Sequence, residues 1–142
     1  MRTALTRTLL LLSLAFFLGG CASYDSSLDP GRSVAKFQRF FVVSNLNDNH
    51  GLDHLIAETL KARGRVAELG PLTMMPDDTQ VVVIYQDRWT WDFGDHLVAM
   101  HIAVRDVRSE QAFASVGFNA KVPLHETTPV TVARLIDNLL KK

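Results

Sequence analysis

The residues best suited to bind a ligand lie in one polar and aromatic stretch, residues 87–96. It contains both tryptophans of the chain, Trp89 and Trp91, with Asp87 and Asp92 beside them. Indole rings next to carboxylates can stack a sugar, a peptide side chain or a cationic group. The alternative, which the usual burial of tryptophan favours, is that both rings extend neighbouring strands and cover the core edge while the aspartates form turns.

Two histidines, His50 and His54, lie four residues apart in a segment predicted to be helical. This spacing can place two imidazoles on one metal ion, but a catalytic zinc needs a third protein ligand. The segment also lacks the glutamate of the His-Glu-x-x-His pattern. A solvated first helical turn, capped by Asp48 or Asn49, is the preferred interpretation, so we expect no metal and no cofactor.

Patterns typical of other enzymes are absent from the sequence. No serine lies in a Gly-x-Ser-x-Gly motif, and the scattered glycines form neither a phosphate-binding loop nor a dinucleotide fingerprint. We therefore expect a protein that is not an enzyme. A metal-dependent hydrolase that uses His50, His54 and a carboxylate is the alternative.

The first part of the chain, residues 1–20, is predicted to be a cleaved export signal. Two arginines precede an apolar run from Leu9 to Leu18, and two glycines follow it. The run is shorter than the roughly 20 apolar residues that a membrane-spanning helix needs. Polar residues then follow, so the run is interpreted as part of a signal peptide.

Cys21 follows this signal directly and is the only cysteine of the chain. A single thiol in an exported protein has no internal disulfide partner, which favours another use for it. The sequence Leu18-Gly19-Gly20-Cys21 resembles the lipobox of bacterial lipoproteins. That resemblance implies that Cys21 is acylated, and Ala22 in place of aspartate implies the outer membrane, periplasmic side. A secretory signal with a chance cysteine is the alternative.

After the cysteine, the polar and turn-forming composition of residues 21–34 predicts a flexible tether. Residues 35–142 suffice for a single domain. The full chain has 15 basic and 15 acidic residues; loss of residues 1–20 removes two basic residues and no acidic ones, which leaves a net charge of −2. This balance is not that of a nucleic-acid-binding protein, and no such partner is expected.

Hydrophobic periodicity predicts the order β-α-β-β-β-β-α, an α/β chain of the α+β type. The expected fold is a mixed, largely antiparallel sheet of about five strands with two helices. Alternation in residues 97–106 predicts that Val98, Met100, Ile102 and Val104 point to one side. The predicted strands are 37–43, 65–69, 81–85, 97–106 and 111–118, and the predicted helices are 50–63 and a segment starting at Thr128-Pro129.

The body of the chain, from about Phe37 to Leu140, resembles small periplasmic lipoproteins of unknown function. The resemblance rests on a Tyr-x-Asp-x-Trp-x-Trp-Asp segment followed by a hairpin built around a central Asp. The element order also resembles the α/β domains of envelope assembly lipoproteins of the curli-secretion and TolB amino-terminal type. The matching residues are Tyr85, Asp87, Trp89, Trp91, Asp92 and Asp106.

These features together predict a lipid-anchored envelope protein whose domain binds a protein or glycan partner. The tryptophan-rich stretch is the expected contact surface. A structural subunit of a lipoprotein complex is a further alternative.

Overall fold

A computed structural model describes residues 22–123 and 126–142. The described residues form one mixed sheet with two helices, so the α+β class is confirmed, with six strands in place of about five. The two helices contact each other and pack on the same face of the sheet. The elements are β1 (Ala22–Leu28), β2 (Arg39–Val43), α1 (Leu52–Ala62), β3 (Val66–Gly70), β4 (Val81–Trp91), β5 (Asp95–Asp106), β6 (Ala112–Ala120) and α2 (Thr128–Leu140).

The strand order across the sheet is β1-β6-β5-β4-β2-β3. β2 runs parallel to β3 and β4, because α1 crosses over between β2 and β3, and the other pairs are antiparallel. β5 and β6 form the predicted hairpin, with Asp106 at the end of β5. The carboxyl ends of β2 and β3 therefore lie at the same end of the sheet as the β4–β5 turn.

The prediction of a tether over residues 21–34 is wrong, because most of this segment belongs to the folded domain. Residues 22–28 form edge strand β1, paired with β6 from Ala22↔Ala120 to Leu28↔Ala114. Farther on, Arg32 Nη2 binds Asp106 Oδ1 at 2.6 Å. The polar composition indicated a tether, but an edge strand needs apolar side chains on only one of its faces. The backbone hydrogen bonds of β1 come from β6, which the composition of β1 does not reveal.

β5 also departs from the predicted alternation. The register with β4 shifts between Arg88 and Trp89, which pair with Ala99 and Leu97. Val98 is therefore the extra residue of a β-bulge, and Leu97 takes its place in the core under the helices. The prediction holds for Met100, Ile102 and Val104 and is wrong for Val98, because a bulge reverses the phase of the strand.

The core lies between the sheet and the two helices. The apolar stripe of α2 is buried, and Pro129 stands at the start of the helix as predicted. α1 begins at Leu52, two residues later than the histidine that was predicted to lie in its first turn. The largest fully buried side chains include Phe41, Leu52, Ile56, Leu60, Met100, Ile102, Leu135, Ile136 and Leu139.

Candidate functional site at the β4–β5 hairpin

The tryptophan-rich stretch forms the end of a hairpin. β4 continues to Trp91 and β5 begins at Asp95, so residues 92–94 alone make the turn. The amide of Asp92 donates to the carbonyl of Gly94 at 2.9 Å. Strand extension is observed for both tryptophans and turn formation for Asp92. The predictions that Asp87 forms a turn and that Trp91 covers the core edge are wrong, because Asp87 lies within β4 and Trp91 is exposed.

Trp89 is half-buried and packs against the edge of the core. Its Nε1 donates a hydrogen bond to Asp87 Oδ2 at 2.6 Å. The imidazole of His50 stacks on the indole, with ring centroids 3.6 Å apart and planes 11° apart. His50 Nε2 in turn lies 3.2 Å from Asp95 Oδ2. These four residues, here called the His50–Trp89 cluster, join the hairpin to the loop that precedes α1 and hold the hairpin in one orientation.

Beyond this cluster the hairpin ends in two exposed rings, Trp91 and Phe93, here called the aromatic tip. Trp91 is 71% exposed and Phe93 is 96% exposed, and their ring centroids are 5.9 Å apart. Phe93 also has a φ of 51°, a left-handed backbone conformation that residues other than glycine and asparagine rarely adopt. An exposed phenylalanine in a strained conformation does not serve stability, so the tip is a candidate contact surface.

His54 does not join this site. The prediction that His50 and His54 share one helix face is wrong, because His50 lies in the loop before α1 and Gly51 has a left-handed φ of 67°. His50 turns instead toward Trp89 and Asp95. Within the described ranges, no group of three or more His, Cys, Asp or Glu side chains is arranged to hold a metal ion.

Asp48 and Tyr85 form a polar connection below the cluster that the sequence did not single out as a pair. Tyr85 is buried, and its hydroxyl donates to Asp48 Oδ2 at 2.7 Å. The same carboxylate accepts the amide of Leu52 at 2.6 Å, so Asp48 caps α1 from four residues away, as one of the two predicted caps. The sequence marked Asp48 as a candidate cap and Tyr85 as part of the Tyr-x-Asp-x-Trp-x-Trp-Asp segment, but nothing in it linked the two residues.

The hydrogen bonds to Asp48 control its protonation. Partial burial raises the pKa of this carboxyl, but hydrogen bonds from the Tyr85 hydroxyl and from the amides of His50, Leu52 and Asp53 outweigh it, and the net pKa is lowered. Burial, together with the bond to Asp48, raises the pKa of Tyr85 well above its ordinary value. The pair is therefore a charged carboxylate and a neutral phenol at neutral pH.

Cys21, the predicted lipidation site, lies outside the described residues, as does the predicted signal. The next residue, Ala22, is the first of β1 and pairs with Ala120 of β6. The neighbouring residue Asn119 pairs with Ala99 of β5. From Ala99 back to Asp95, where β5 begins at the turn, the strand spans about 13 Å at 3.3 Å per residue. The aromatic tip thus projects from the same end of the sheet at which β1 begins.

Several other exposed apolar side chains lie at this end of the sheet, here called the apolar end. They follow the carboxyl ends of β2, β3 and β6 or stand in the first turn of α2. Leu46 is the most exposed, at 99%. In the described ranges the members are Leu46, Leu72, Met74, Trp91, Phe93, Val122 and Val130. Across residues 22–123 and 126–142, no helix is long and apolar enough to cross a membrane.

Comparison with known proteins shows the fold alone. No protein-family model matches the chain, and no curated protein matches its sequence. One chain from a dodecamer of a PelC point variant from Paraburkholderia phytofirmans is similar in structure, with a TM-score of 0.55 and 17% identity over 84% of this chain and 95% of that one. A second PelC dodecamer from the same organism is similar at a TM-score of 0.52 and 16% identity, with the same coverage.

Proposed function

We propose that this chain is an envelope lipoprotein, held on a membrane by acyl chains on Cys21, whose domain binds or assembles with an envelope protein or glycan. In this proposal the apolar end faces the lipid surface and the rest of the domain faces the periplasm. The outer membrane is the proposed location, from the lipobox resemblance and from Ala22 after the cysteine.

The observation that carries the proposal is the position of β1. Because its first residue, Ala22, is already paired in the sheet, an acylated Cys21 would have no flexible segment between lipid and fold. The domain would therefore sit directly on the bilayer with the end of β1 facing it. That end bears Trp91 and Phe93, and aromatic side chains are favoured at the boundary between lipid and water.

The role of the aromatic tip follows from its exposure. Burial of two large rings and the neighbouring apolar side chains in the headgroup region would add affinity to that of the acyl chains. It would also fix the orientation of the domain, since the His50–Trp89 cluster holds the hairpin rigidly. The open side of the sheet would then remain accessible to a partner in the periplasm.

Lipidation is tested by labelling the full chain with a radioactive fatty acid during expression in a bacterial host. Wild-type protein should take up the label and stay with the membranes. Cys21→Ser should take up none and should leave the membrane fraction once its signal is cleaved. Serine keeps the size and polarity of the side chain, and Ser23→Ala is the matched control. Continued labelling of Cys21→Ser would contradict the anchor.

The orientation is tested by fluorescence of the lipidated protein in nanodiscs made with brominated phospholipids, which quench nearby indoles. Two single-tryptophan variants provide a matched pair. Trp89→Phe leaves Trp91 as the reporter, and Trp91→Phe leaves Trp89. We expect strong quenching of Trp91 and weak quenching of Trp89, which is half-buried under His50. Equal fluorescence of Trp91 in brominated and ordinary lipid would show that the tip does not contact the bilayer.

A further inference from the structure

The face of the sheet without helices has a cleft of about 280 Å³ across β4, β5, β6 and β1. Most of its lining comes from two rows of side chains that the strand register aligns. The cleft has polar walls, and small residues lie between them. The first row is Gln86, His101, Gly117 and Asp25, and the second is Arg88, Ala99, Asn119 and Ser23.

Gly117 forms the floor of this cleft, in the interior of β6. A Cβ atom at this position would lie 2.8 Å from Asp25 Oδ1 and 3.2 Å from His101 Cδ2. Glycine weakens a strand interior and commonly marks a place where a ligand or another backbone approaches closely. Here the missing side chain leaves room for the Asp25 carboxylate and the His101 imidazole to converge above Gly117.

The groups around the floor offer both kinds of hydrogen-bonding atom. Asp25 presents acceptors, Arg88 presents donors, and the amide of Gln86 presents both. Arg88 Nη2 donates to Asn119 Oδ1 at 3.0 Å, which orients the amide NH₂ of Asn119 as a donor. The two charges are of opposite sign. Asp25 would therefore repel an anionic ligand, and Arg88 would repel a cationic one.

We propose that this cleft binds a neutral saccharide chain, which rests on the proposed function as a binding module and names its ligand class. Sugar hydroxyls donate and accept hydrogen bonds at once, which matches the mixed groups of the cleft. The volume of about 280 Å³ is at the small end of ligand sites and suits one sugar unit.

The neighbouring space extends the site toward a chain. A second cavity of about 580 Å³ shares Arg88 and Asn119 with the cleft and continues toward the end of β6. A peptide fits this face less well than a saccharide, because peptides usually add to a sheet edge through backbone hydrogen bonds. On this face the backbone groups of β4, β5 and β6 are already paired with each other.

The test uses the full lipidated chain in nanodiscs and saturation-transfer NMR with three oligosaccharides of equal length. The probes are cellotetraose, which is neutral, a chitosan tetramer, which is cationic, and tetragalacturonate, which is anionic. We expect transfer to cellotetraose. Asp25→Ala and Gln86→Ala should each weaken its binding by about fivefold or more, the loss of one hydrogen-bonding group. Gln111→Ala, an exposed glutamine at the opposite end of β5 and β6, is the matched control.

Gly117→Ala should weaken transfer, because its Cβ would lie 2.8 Å from the Asp25 carboxylate and displace it, and circular dichroism checks that the fold survives. If that variant unfolds, the exposed substitutions still decide the question. Transfer only to a charged probe, or no transfer to any probe, would overturn the proposal. Transfer in Asp25→Ala and Gln86→Ala that equals that of the wild-type protein would also overturn it. Fatty-acid labelling at Cys21 is independent of these results, so failure of the cleft and failure of the lipid anchor are distinguishable.

Discussion

The imidazole of His50 stacks on the indole of Trp89, with 3.6 Å between ring centroids, although the two residues belong to separate segments. Asp95 holds the imidazole from one side through Nε2, and Asp87 holds the indole through Nε1. This arrangement connects the loop before α1 to both strands of the hairpin. The exposed tip therefore stands on a rigid base.

The stacked pair should contribute measurably to stability. A double-mutant cycle with His50→Ala and Trp89→Leu should give a coupling energy of about 0.5–1.5 kcal/mol, the range for paired rings. Urea unfolding measures the free energies. His54→Ala, on the exposed surface of α1, should change the free energy of unfolding by less than about 0.5 kcal/mol. Additive effects of the two cluster substitutions would show that the rings do not interact.

The bond between Tyr85 and Asp48 predicts a pH dependence. The folded pKa of Asp48 is below its ordinary value of 3.8, so its stabilising contribution is full above that pH and is lost as the pH falls through the folded pKa. Tyr85→Phe removes the hydroxyl and should lower the free energy of unfolding by about 1–2 kcal/mol at neutral pH. Below pH 3.8 the difference from wild type should shrink.

Urea unfolding of both proteins at several pH values between neutral and acidic checks this pattern. Tyr24→Phe is the control, because it removes a tyrosine hydroxyl at an exposed position, where that hydroxyl accepts a hydrogen bond from Arg134. A constant difference between wild type and Tyr85→Phe across the acid range would contradict the linkage to Asp48.

Removal of β1 should destabilise the domain, which a tether would not do. A chain that starts at Asp29 loses seven cross-strand pairs with β6. At roughly 0.2–1 kcal/mol per pair, the expected loss is about 1–7 kcal/mol in the free energy of unfolding. It also exposes the edge of β6, so aggregation should increase. An unchanged urea midpoint in the shortened chain would contradict the role of β1.

The conformation of Phe93 predicts a variant that is more stable but binds membranes less well. Its φ of 51° costs about 1–2 kcal/mol relative to an unstrained residue, and glycine relieves this strain. Phe93→Gly should therefore raise the free energy of unfolding by about 1 kcal/mol while it weakens contact of the tip with lipid vesicles. Phe93→Leu, which keeps the apolar side chain and the strain, is the comparison. Unchanged vesicle binding by Phe93→Gly would argue against a role for this ring.

Arg32 anchors the segment after β1 and should be hard to replace. Its guanidinium binds Asp106 Oδ1 at 2.6 Å and lies 4.0 Å from the ring centroid of Phe113. Arg32→Ala should lower the free energy of unfolding by about 1–2 kcal/mol through the loss of the ion pair and the cation–π contact. Arg32→Lys should restore only part of it, because an ammonium lacks the planar group. Full recovery in Arg32→Lys would show that charge alone matters.

The regular elements could be predicted because their signals are local. The β-branched run from Val81 and the apolar stripe around Leu135 each indicate one element, whatever the rest of the chain does. Boundaries failed where distant residues decide them. β1 exists because β6 offers it an edge, and α1 begins at Leu52 because Asp48 and Gly51 shape the turn before it.

Residue type identifies the candidate residues from the sequence. Which of them contact each other in the fold does not follow from type or spacing. Asp87, Trp89 and His50 stood out as residues that can bind or stack, but nothing in the spacing indicated that His50 would pair with Trp89 and not with His54. The polar composition around Asp25 predicts a tether. The place of Asp25 beside His101 depends on the register of β1 against β6.

The sequence by itself determined the α+β class, most of the strands and helices, the single cysteine at the end of a predicted signal, and the absence of enzyme motifs. These follow from periodicity and composition, which are properties of short windows of the chain. The tertiary structure alone decided that the aromatic tip, the apolar end and the start of β1 lie together, and that a polar cleft opens over Gly117. Strand order and register set those neighbours, and they arise from packing between segments far apart in the chain.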